Sequence, residues 1–319
     1  MQSTNRQVVV IGTGGTIAGT APDAASHTAY RSAVISVEDL VAAVPGLRGR
    51  GLETLTLARL DSSDMDHATW ARLANGIGQQ LARHDVVGVV VTHGTDTLEE
   101  TAYFLHRCVA AHKPIVLTAA MRPASAPSPD GPQNLIDAVQ VAFAGGLARG
   151  VLAVLGGCIF AGAELRKVHG YRVDAFSSGD AGPIGVLEDG HLRCFRDWPL
   201  PELHAAASML GEPARWPVVE IVTSHAGARG ETIDTLVAAG AQGIVIAGTG
   251  NGSVHHSLLA AAQRAQAAGV AVRRSSRCIL SGVVGASGQL ASVPSAAVLT
   301  PVQARIELML DLIAGHQSG

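Results

Sequence analysis

The sequence lacks the features that mark proteins binding nucleic acids or spanning membranes. Its 319 residues include 23 basic and 26 acidic side chains, a formal net charge of −3, and no block of positive charge that would neutralise phosphates. Ala and Val are dispersed among 37 Gly, so no unbroken apolar run reaches the roughly 20 residues that a membrane helix needs. We therefore expect no nucleic acid and no membrane among its partners.

Cysteine and histidine are also arranged without a recognisable motif. The four cysteines are far apart and form no C-x-x-C pair: Cys108, Cys158, Cys194 and Cys278. This spacing argues against a zinc knuckle or a disulfide-dense scaffold and favours unpaired thiols in a reducing cytosol. The apolar stretch 8–11 is too short for a signal peptide, so we expect a cytoplasmic protein. No H-E-x-x-H appears, and the adjacent His255 and His256 point apart, so we expect no metal site.

Short apolar runs alternate with helical patterns along the first 195 residues. Strands are predicted at 8–11, 86–92, 115–118 and 151–155. Two apolar stripes predict helices, one through Trp70, Leu73, Ile77 and Leu81, the other through Leu98, Ala102, Leu105 and Val109. Continuous apolar strands separated by helices predict a parallel sheet that is covered on both faces.

Prolines divide the chain into two predicted α/β domains. Pro199, Pro201, Pro213 and Pro217 fall in a stretch with little strand signal, which predicts a linker over 196–217. A larger N-terminal catalytic domain then covers 1–195 and a smaller C-terminal domain covers 218–319. In the smaller domain, strands are predicted at 218–222, 243–247 and 270–272, and Thr300 and Gln303 predict a capping box for the last helix.

Loops that follow strands should hold the chemistry, because ligands of open α/β sheets bind beyond the carboxyl ends of the strands. The first loop, 12–19, reads Gly-Thr-Gly-Gly-Thr-Ile-Ala-Gly. It fails the dinucleotide fingerprint, with Ile17 at the third glycine position, and no lysine follows to complete a P-loop. A nicotinamide oxidoreductase is therefore disfavoured. Two interpretations stay open: a flexible loop that presents two hydroxyls, or an ordinary glycine turn.

The second loop, 92–100, reads Thr-His-Gly-Thr-Asp-Thr-Leu-Glu-Glu. Thr97 and Glu100 predict a capping box and a helix start. Thr95 and Asp96 then lie just before a helix N-terminus, where backbone N–H groups and the helix dipole favour negative charge. With Thr97 in the cap role, Asp96 is available for another function.

Lysine is scarce in this chain, which uses arginine at nearly every other basic position. Only Lys113 and Lys167 are present. A buried lysine can be neutral and act as a base, whereas arginine stays charged, so a lysine here is either retained for that property or present by chance. Tyr30, one of three tyrosines, lies in a polar stretch after the first loop and is a similar case.

Segments 13–19 and 92–104 together resemble the two signatures of the bacterial L-asparaginase/glutaminase family. The similarity continues through 120–123, 130–132, 134–135, 248–252 and 274–277, and so covers nearly the whole chain in order. The resemblance implies two α/β domains and a homotetramer, a dimer of close dimers, in which two subunits share each active site. It also implies hydrolysis of the side-chain amide of L-asparagine, with L-glutamine as a second candidate substrate, without metal or cofactor.

The same resemblance implies roles for individual residues. The catalytic sets are Thr16 with Tyr30, and Thr95 with Asp96 and Lys167. Substrate contacts are implied for the side chains of Ser62 and Asp96, for the backbone of Ser63 and Ala120, and for Asn251, which would reach in from the neighbouring subunit.

Two departures from the family pattern bear on the substrate. Ser63 stands where family members often carry glutamine, and 275–300 contains no Asp or Glu, where many carry an acid that binds the substrate amino group. The preference between asparagine and glutamine is therefore open, and a glutaminase-leaning member is one alternative. The other is a non-catalytic amino-acid binder, which the joint presence of Thr16 and Lys167 disfavours, because a binder needs no nucleophile.

Overall fold

The computed structural model describes residues 6–20, 31–144, 148–285 and 288–316, which fall into two compact units that meet between Leu203 and His204. The described part of the first unit contains ten strands: β1 (Gln7–Gly14), β2 (Leu52–Leu60), β3 (Val86–Thr92), β4 (Ile115–Thr118), β5 (Val151–Leu155), β6 (Cys158–Ala161), β7 (Arg166–Lys167), β8 (Phe176–Ser177), β9 (Gly185–Glu188) and β10 (His191–Cys194). Its α-helices are α1 (Val37–Ala42), α2 (His67–Leu81), α3 (Leu98–Cys108) and α4 (Gly131–Phe143). The predicted limits at 195 and 218 lie on either side of the boundary between the units.

Eight of these strands form one sheet in the order β10-β9-β6-β5-β4-β3-β1-β2. Strands β2, β1, β3, β4 and β5 are parallel to one another. The pairs β5–β6, β6–β9 and β9–β10 are antiparallel. A parallel-dominated sheet with helices confirms the predicted fold class. The strands predicted at 86–92, 115–118 and 151–155 have the bounds of β3, β4 and β5.

Helices cover both faces of the parallel part, since side chains alternate between the faces along each strand. Val8 and Val10 of β1 belong to a buried cluster with residues of α1 and α4, such as Leu40 and Leu135. Val9 points the other way and is equally buried. The predicted stripe of α2 is buried at Trp70, Leu73 and Ile77, and the Trp70 ring stacks on Phe104 of α3 with centroids 4.9 Å apart.

The antiparallel strands β6, β9 and β10 were not predicted, although two dipeptides in the sequence indicate two of the turns. Gly156 and Gly157 join β5 to β6, and Asp189 and Gly190 join β9 to β10; all four residues have positive φ. Two-residue hairpin loops of the type I′ geometry require that conformation, which favours Gly-Gly and Asp-Gly pairs. Strands β9 (Gly-Val-Leu-Glu) and β10 (His-Leu-Arg-Cys) contain polar residues, so they do not form apolar runs in the sequence.

The second unit has a three-stranded parallel sheet in the order β11 (Val219–Thr223), β12 (Gly243–Gly248), β13 (Ala271–Ser276). Its α-helices are α5 (Glu231–Ala238), α6 (His256–Ala267) and α7 (Pro301–His316). The three predicted strands are confirmed. So is the capping box of α7: the Thr300 N–H donates to Oε1 of Gln303 (3.1 Å) and the Gln303 N–H donates to Oγ1 of Thr300 (3.3 Å). None of the described helices is both long enough and apolar enough to cross a bilayer.

The capping box predicted at the start of α3 is wrong. Thr97 is the N-cap residue, but its side chain accepts no bond from the helix. Its Oγ1 instead donates to the carbonyl oxygen of Ser62, at 2.8 Å. The Thr97 hydroxyl therefore bonds to a residue 35 positions away in sequence instead of to its own helix. This bond connects the loop after β3 to the loop after β2.

Candidate active site

Four parallel strands bring their carboxyl ends to one edge of the first sheet. Strands β4, β3, β1 and β2 are neighbours in that order, and Thr118 pairs with Thr92, Thr92 with Gly12, and Gly12 with Thr56. The loops that follow them carry, in the same order, Ala120, Thr95, Thr16 and Ser62. The topology therefore gathers the predicted residues from all of these loops at a single edge, as expected for an open α/β sheet.

Two glycines set the spacing between the first and second loops. A Cβ at Gly15 would lie 2.4 Å from both N and Cα of Gly94, and Gly15 has a φ of +82°. Only glycine satisfies both the conformation and the close approach. Thr16 follows Gly15, and Thr95 follows Gly94, so each buried threonine is one residue from the point where the two main chains touch.

The loop after β2 is packed equally closely. A Cβ at Gly94 would lie 2.4 Å from Oγ of Ser62. That same Oγ accepts the N–H of Asp96 at 3.2 Å, and the Ser62 carbonyl accepts from Thr97. Ser62 is 2% exposed, and no acceptor for its hydroxyl proton is found among the described residues. The three loops thus form one bonded assembly.

Lys167 contacts two of the predicted catalytic residues. Its Nζ is 2.8 Å from Oγ1 of Thr95 and 2.5 Å from Oδ1 of Asp96. The lysine side chain is 14% exposed, whereas the Asp96 side chain is 59% exposed. An amine, a hydroxyl and a carboxylate are therefore in direct contact, with the carboxylate facing outward.

The third loop lines the same edge with main chain. Ala120 is fully buried, and its Cβ lies 3.3 Å from the position of a Cβ at Gly131, which would also be 2.9 Å from Cγ1 of Ile17. The carboxylate of Asp130 accepts the N–H groups of Met121 and Arg122, each at 2.9 Å. These two bonds to Asp130, the N-cap residue of α4, hold the backbone next to Ala120 in place.

Asp61 is a site carboxylate that the sequence did not reveal. It accepts bonds from Oγ of Ser32 (2.7 Å), and from the N–H (3.0 Å) and Oγ (2.9 Å) of Ser63. The bond from Ser32, helped by those from Ser63 and by the charge of Lys167, holds the pKa of Asp61 below its ordinary value. Ser63, a predicted substrate contact, is exposed. The alternation of Leu with polar residues in β2, such as Leu55-Thr56-Leu57, is the signal that would have placed Asp61 at a strand end.

His93 is buried beneath the second loop and fixes its geometry. Nδ1 is 2.7 Å from the carbonyl oxygen of Gly94, and Nε2 is 3.0 Å from Oγ1 of Thr101, which accepts the indole N–H of Trp70 (2.9 Å). A carbonyl only accepts, so this bond pattern assigns the proton to Nδ1 and leaves Nε2 to accept from Thr101. Burial lowers the pKa of His93 to about 4, which keeps the ring neutral.

Glu99 is a second group that sequence reasoning missed. It lies in the first turn of α3, and its Oε2 accepts the main-chain N–H of Lys167 at 3.2 Å. Burial raises the pKa of Glu99 to about 7. The pattern Thr97-x-x-Glu100 drew attention to the wrong glutamate, because the contact that matters here is made to a distant strand.

Tyr30 and Asn251 complete the set of predicted site residues. Tyr30 lies outside the described residues. Asn251 belongs to the second unit, where its side chain donates to the carbonyl of Val284 and accepts the N–H of the same residue, both at 2.7 Å.

Groups at this edge that donate and accept protons are hydroxyls, one amine and carboxylates. Within the ranges that the structure describes, no three His, Cys, Asp or Glu side chains are grouped as ligands for a metal ion. The Lys167 amine donates to the Thr95 hydroxyl, so a basic group lies in direct contact with a hydroxyl at this edge.

This fold and this edge define an α/β protein whose sheet edge brings hydroxyls, an amine and carboxylates together. Family models identify it further: the model described as Asparaginase, N-terminal matches residues 7–200, and that of the Glutaminase/Asparaginase C-terminal domain matches 218–318. The chain belongs to the bacterial L-asparaginase/glutaminase family.

Individual relatives are similar along most of their length. L-asparaginase 2 of Bacillus subtilis is 37% identical over 312 residues, covering 95% of this chain and 81% of that protein. Glutaminase-asparaginase of Pseudomonas fluorescens is 36% identical over 285 residues, covering 87% and 77%. The crystal structure of a probable cytoplasmic L-asparaginase from Campylobacter jejuni has a TM-score of 0.88 at 35% identity, covering 96% of this chain and 95% of that one.

Proposed function

We propose that the protein hydrolyses the side-chain amide of L-asparagine to L-aspartate and ammonia through a threonine acyl-enzyme. The observation that carries this proposal is the contact of Lys167 with Thr95 and Asp96, one residue from the Gly15–Gly94 contact that holds Thr16. Membership of the family and the names of the relatives point to the same reaction.

In the first half of the proposed reaction, Oγ1 of Thr16 attacks the amide carbon. The Oγ1–C bond forms, the hydroxyl proton passes to a neighbouring base, and the C–N bond breaks as the nitrogen leaves with a proton as ammonia. An amide carbon is a poor electrophile and a threonine hydroxyl a weak nucleophile, so this proton transfer is essential. Tyr30, which the family resemblance places beside Thr16, is the proposed acceptor.

In the second half, water hydrolyses the ester on Thr16. Thr95 is bonded to Nζ of Lys167, and an unprotonated amine there can accept a proton that Thr95 relays from the attacking water. The bond between Oγ1 of Thr16 and the acyl carbon then breaks, Oγ1 takes up the proton that the amine received, and the aspartate product leaves. Asp96, bonded to the same Nζ, orients the lysine.

The oxyanion formed in each half requires donors that are already in position. We assign this role to backbone N–H groups near Thr95 and Ala120, whose loops are fixed by the Gly15–Gly94 contact and by Asp130. One such donor is worth about 10²–10³ in kcat.

The amino-acid end of the substrate is assigned to Ser62 and Asp96. The Ser62 hydroxyl has a proton to donate to the substrate carboxylate, and the outward-facing Asp96 carboxylate suits its ammonium group. With no acid in 275–300, one charge-assisted contact is missing, worth roughly 1.5–3 kcal/mol. The similarity to a glutaminase-asparaginase keeps glutamine as the competing substrate.

The proposed assembly is a homotetramer in the cytoplasm, with Asn251 completing the active site of a neighbouring subunit. The side chain of Asn251 makes two hydrogen bonds with the main chain of Val284. Among the described residues, the four cysteines form no disulfide, as expected in a reducing compartment. The structural relative from Campylobacter jejuni carries the name of a cytoplasmic enzyme.

The decisive experiment is the release of ammonia from L-asparagine and L-glutamine, measured side by side with purified protein. We expect turnover of both with a higher kcat/KM for asparagine. A higher value for glutamine would make the protein a glutaminase-leaning member. Binding of either amino acid by calorimetry without any ammonia would contradict the proposed function and identify a binder.

A further inference from the structure

Lys167 is held at both of its ends by one short segment. Its Nζ contacts Thr95 (2.8 Å) and Asp96 (2.5 Å), and its main-chain N–H donates to Oε2 of Glu99 (3.2 Å). The three partners lie within five consecutive residues, the loop after β3 and the first turn of α3. The segment 95–99 therefore contacts both the amine of Lys167 and the main chain of the same residue.

The strand that carries Lys167 offers little support of its own. Strand β7 consists of Arg166 and Lys167 alone, and it pairs only with Phe176–Ser177 in a separate two-stranded sheet. An isolated two-stranded ribbon is marginally stable in water. The bond to Glu99 connects this ribbon to the first turn of α3.

We propose that Glu99 is a positioning residue, which fixes the main chain of Lys167 so that Nζ reaches Thr95 and Asp96. The inference rests on the proposed function for its activity readout. Glu99 touches no substrate; it acts through the lysine. A lysine side chain has four rotatable bonds, so an unanchored backbone lets Nζ occupy many positions other than the productive one.

The surroundings of Glu99 make its hydrogen bond to the Lys167 N–H sensitive to pH. Burial raises its pKa to about 7, and among the charged groups that face it Glu100 raises the pKa further, while the Lys167 N–H bond and the charges of Arg166 and Lys167 lower it. A carboxylate accepts an N–H bond more strongly than a neutral carboxyl group. The anchoring bond therefore strengthens as pH rises through about 7.

Two variants separate the bond from the charge. Glu99→Ala removes the acceptor, and we expect kcat to fall by about 100-fold with KM within threefold, because a displacement near 1 Å has an effect of that size. Glu99→Gln keeps an oxygen that accepts the N–H but cannot ionise, so it should recover most of kcat and lose the step that wild type shows near pH 7. Glu38→Gln is the matched control, since Glu38 occupies the same second position of α1 and is exposed.

The proposal is overturned if Glu99→Ala keeps kcat within twofold, or if Glu99→Gln retains the wild-type pH profile. Should Glu99→Ala fail to fold, the glutamine variant decides. A readout independent of turnover is the amide NMR signal of Lys167, which should titrate with a midpoint near 7 in wild type and stay constant in Glu99→Gln; equal titration in both contradicts the proposal. Absence of ammonia release by wild type refutes the proposed function, and the NMR titration still tests Glu99.

Discussion

The two units end their parallel sheets in glycine-containing loops, but they use the polar side chains there in opposite ways. In the first unit, Thr95, Asp96 and Lys167 bond to one another. In the second, Oγ of Ser276 donates to the carbonyl of Gly250 (2.6 Å), and both side-chain groups of Asn251 bond to main chain. The first edge contains a cluster of side chains that bond to one another, whereas these side chains of the second edge bond to main chain.

Arg274 shows this structural use most clearly. It is 2% exposed, and its guanidinium donates to the carbonyls of Val293 (3.1 Å) and Gly285 (3.0 Å). Buried polar groups are costly unless they are hydrogen-bonded, and here the arginine satisfies carbonyls that would otherwise be orphaned. The comparison distinguishes side chains that contact one another, as Lys167 and Thr95 do, from side chains such as Arg274 that satisfy main-chain carbonyls.

The largest expected effect follows from removing the hydroxyl of the first loop. Thr16→Ala should lower kcat by about a thousandfold or more while the protein stays folded, because no nucleophile remains. Steady-state ammonia release, with circular dichroism as the folding check, measures this. Thr16→Ser is the control and should retain substantial turnover; near-normal kcat in Thr16→Ala would contradict the assignment.

The next largest effect concerns the base. Lys167→Arg keeps the charge but cannot provide a neutral amine, so kcat should fall by roughly a hundredfold or more. The chain contains its own control in Lys113, whose Nζ donates to the carbonyls of Leu81 (2.8 Å) and Arg83 (2.7 Å). Lys113→Arg should leave kcat unchanged. If Lys167→Arg also does so, Lys167 is only a structural cation.

In the second unit, the corresponding substitution should affect stability. Arg274→Met removes the donor of the buried bond to the Val293 carbonyl and of the partly buried bond to the Gly285 carbonyl, and we expect a loss of about 3 kcal/mol in the free energy of unfolding. Urea denaturation measures it, and Arg273→Met, at a half-exposed neighbour, is the comparison variant. An unchanged urea midpoint in Arg274→Met would show that the buried guanidinium is dispensable.

The smallest expected effect is the contribution of His93 to stability at low pH. Unfolded histidine binds a proton below about 6.5, but burial lowers the pKa of His93 to about 4 in the folded protein. Between these values the unfolded state binds more protons, so stability falls as pH is lowered, by about 2 kcal/mol from pH 7 to pH 5. His93→Gln should flatten that part of the stability curve, as measured by urea unfolding at several pH values; an unchanged slope would mean that the ring is protonated in the fold.

Glu99 has the opposite sign and serves as the counterpart of that measurement. Its pKa is raised from 4.5 to about 7, so the folded state binds the extra proton and stability is lost as pH rises through 7. The His93→Gln variant should expose this contribution, because the two pH windows overlap.

Sequence reasoning succeeded where a structure depends on neighbours along the chain. The all-apolar strands β3, β4 and β5 and the Thr300–Gln303 capping box are of this kind. It failed at Thr97, where Ser62 offered a better partner from a distant loop.

The missed site residues share this reason. The pKa shifts of Asp61, His93 and Glu99 come from burial and from partners that the fold supplies. Neither burial nor a distant partner can be inferred from the spacing of residues in the sequence. The convergence of Lys167 on Thr95 likewise spans 72 residues of sequence and came from family resemblance, with no local pattern to indicate it.

The touching main chains at Gly15 and Gly94 act as a spacer of fixed thickness. The distance between the loops that carry Thr16 and Thr95 is set by this contact between main chains and does not depend on side-chain rotamers. Serine can therefore replace threonine, or one acid another, without altering the distance between the two loops, whereas a single methyl group at Gly15 would force them apart.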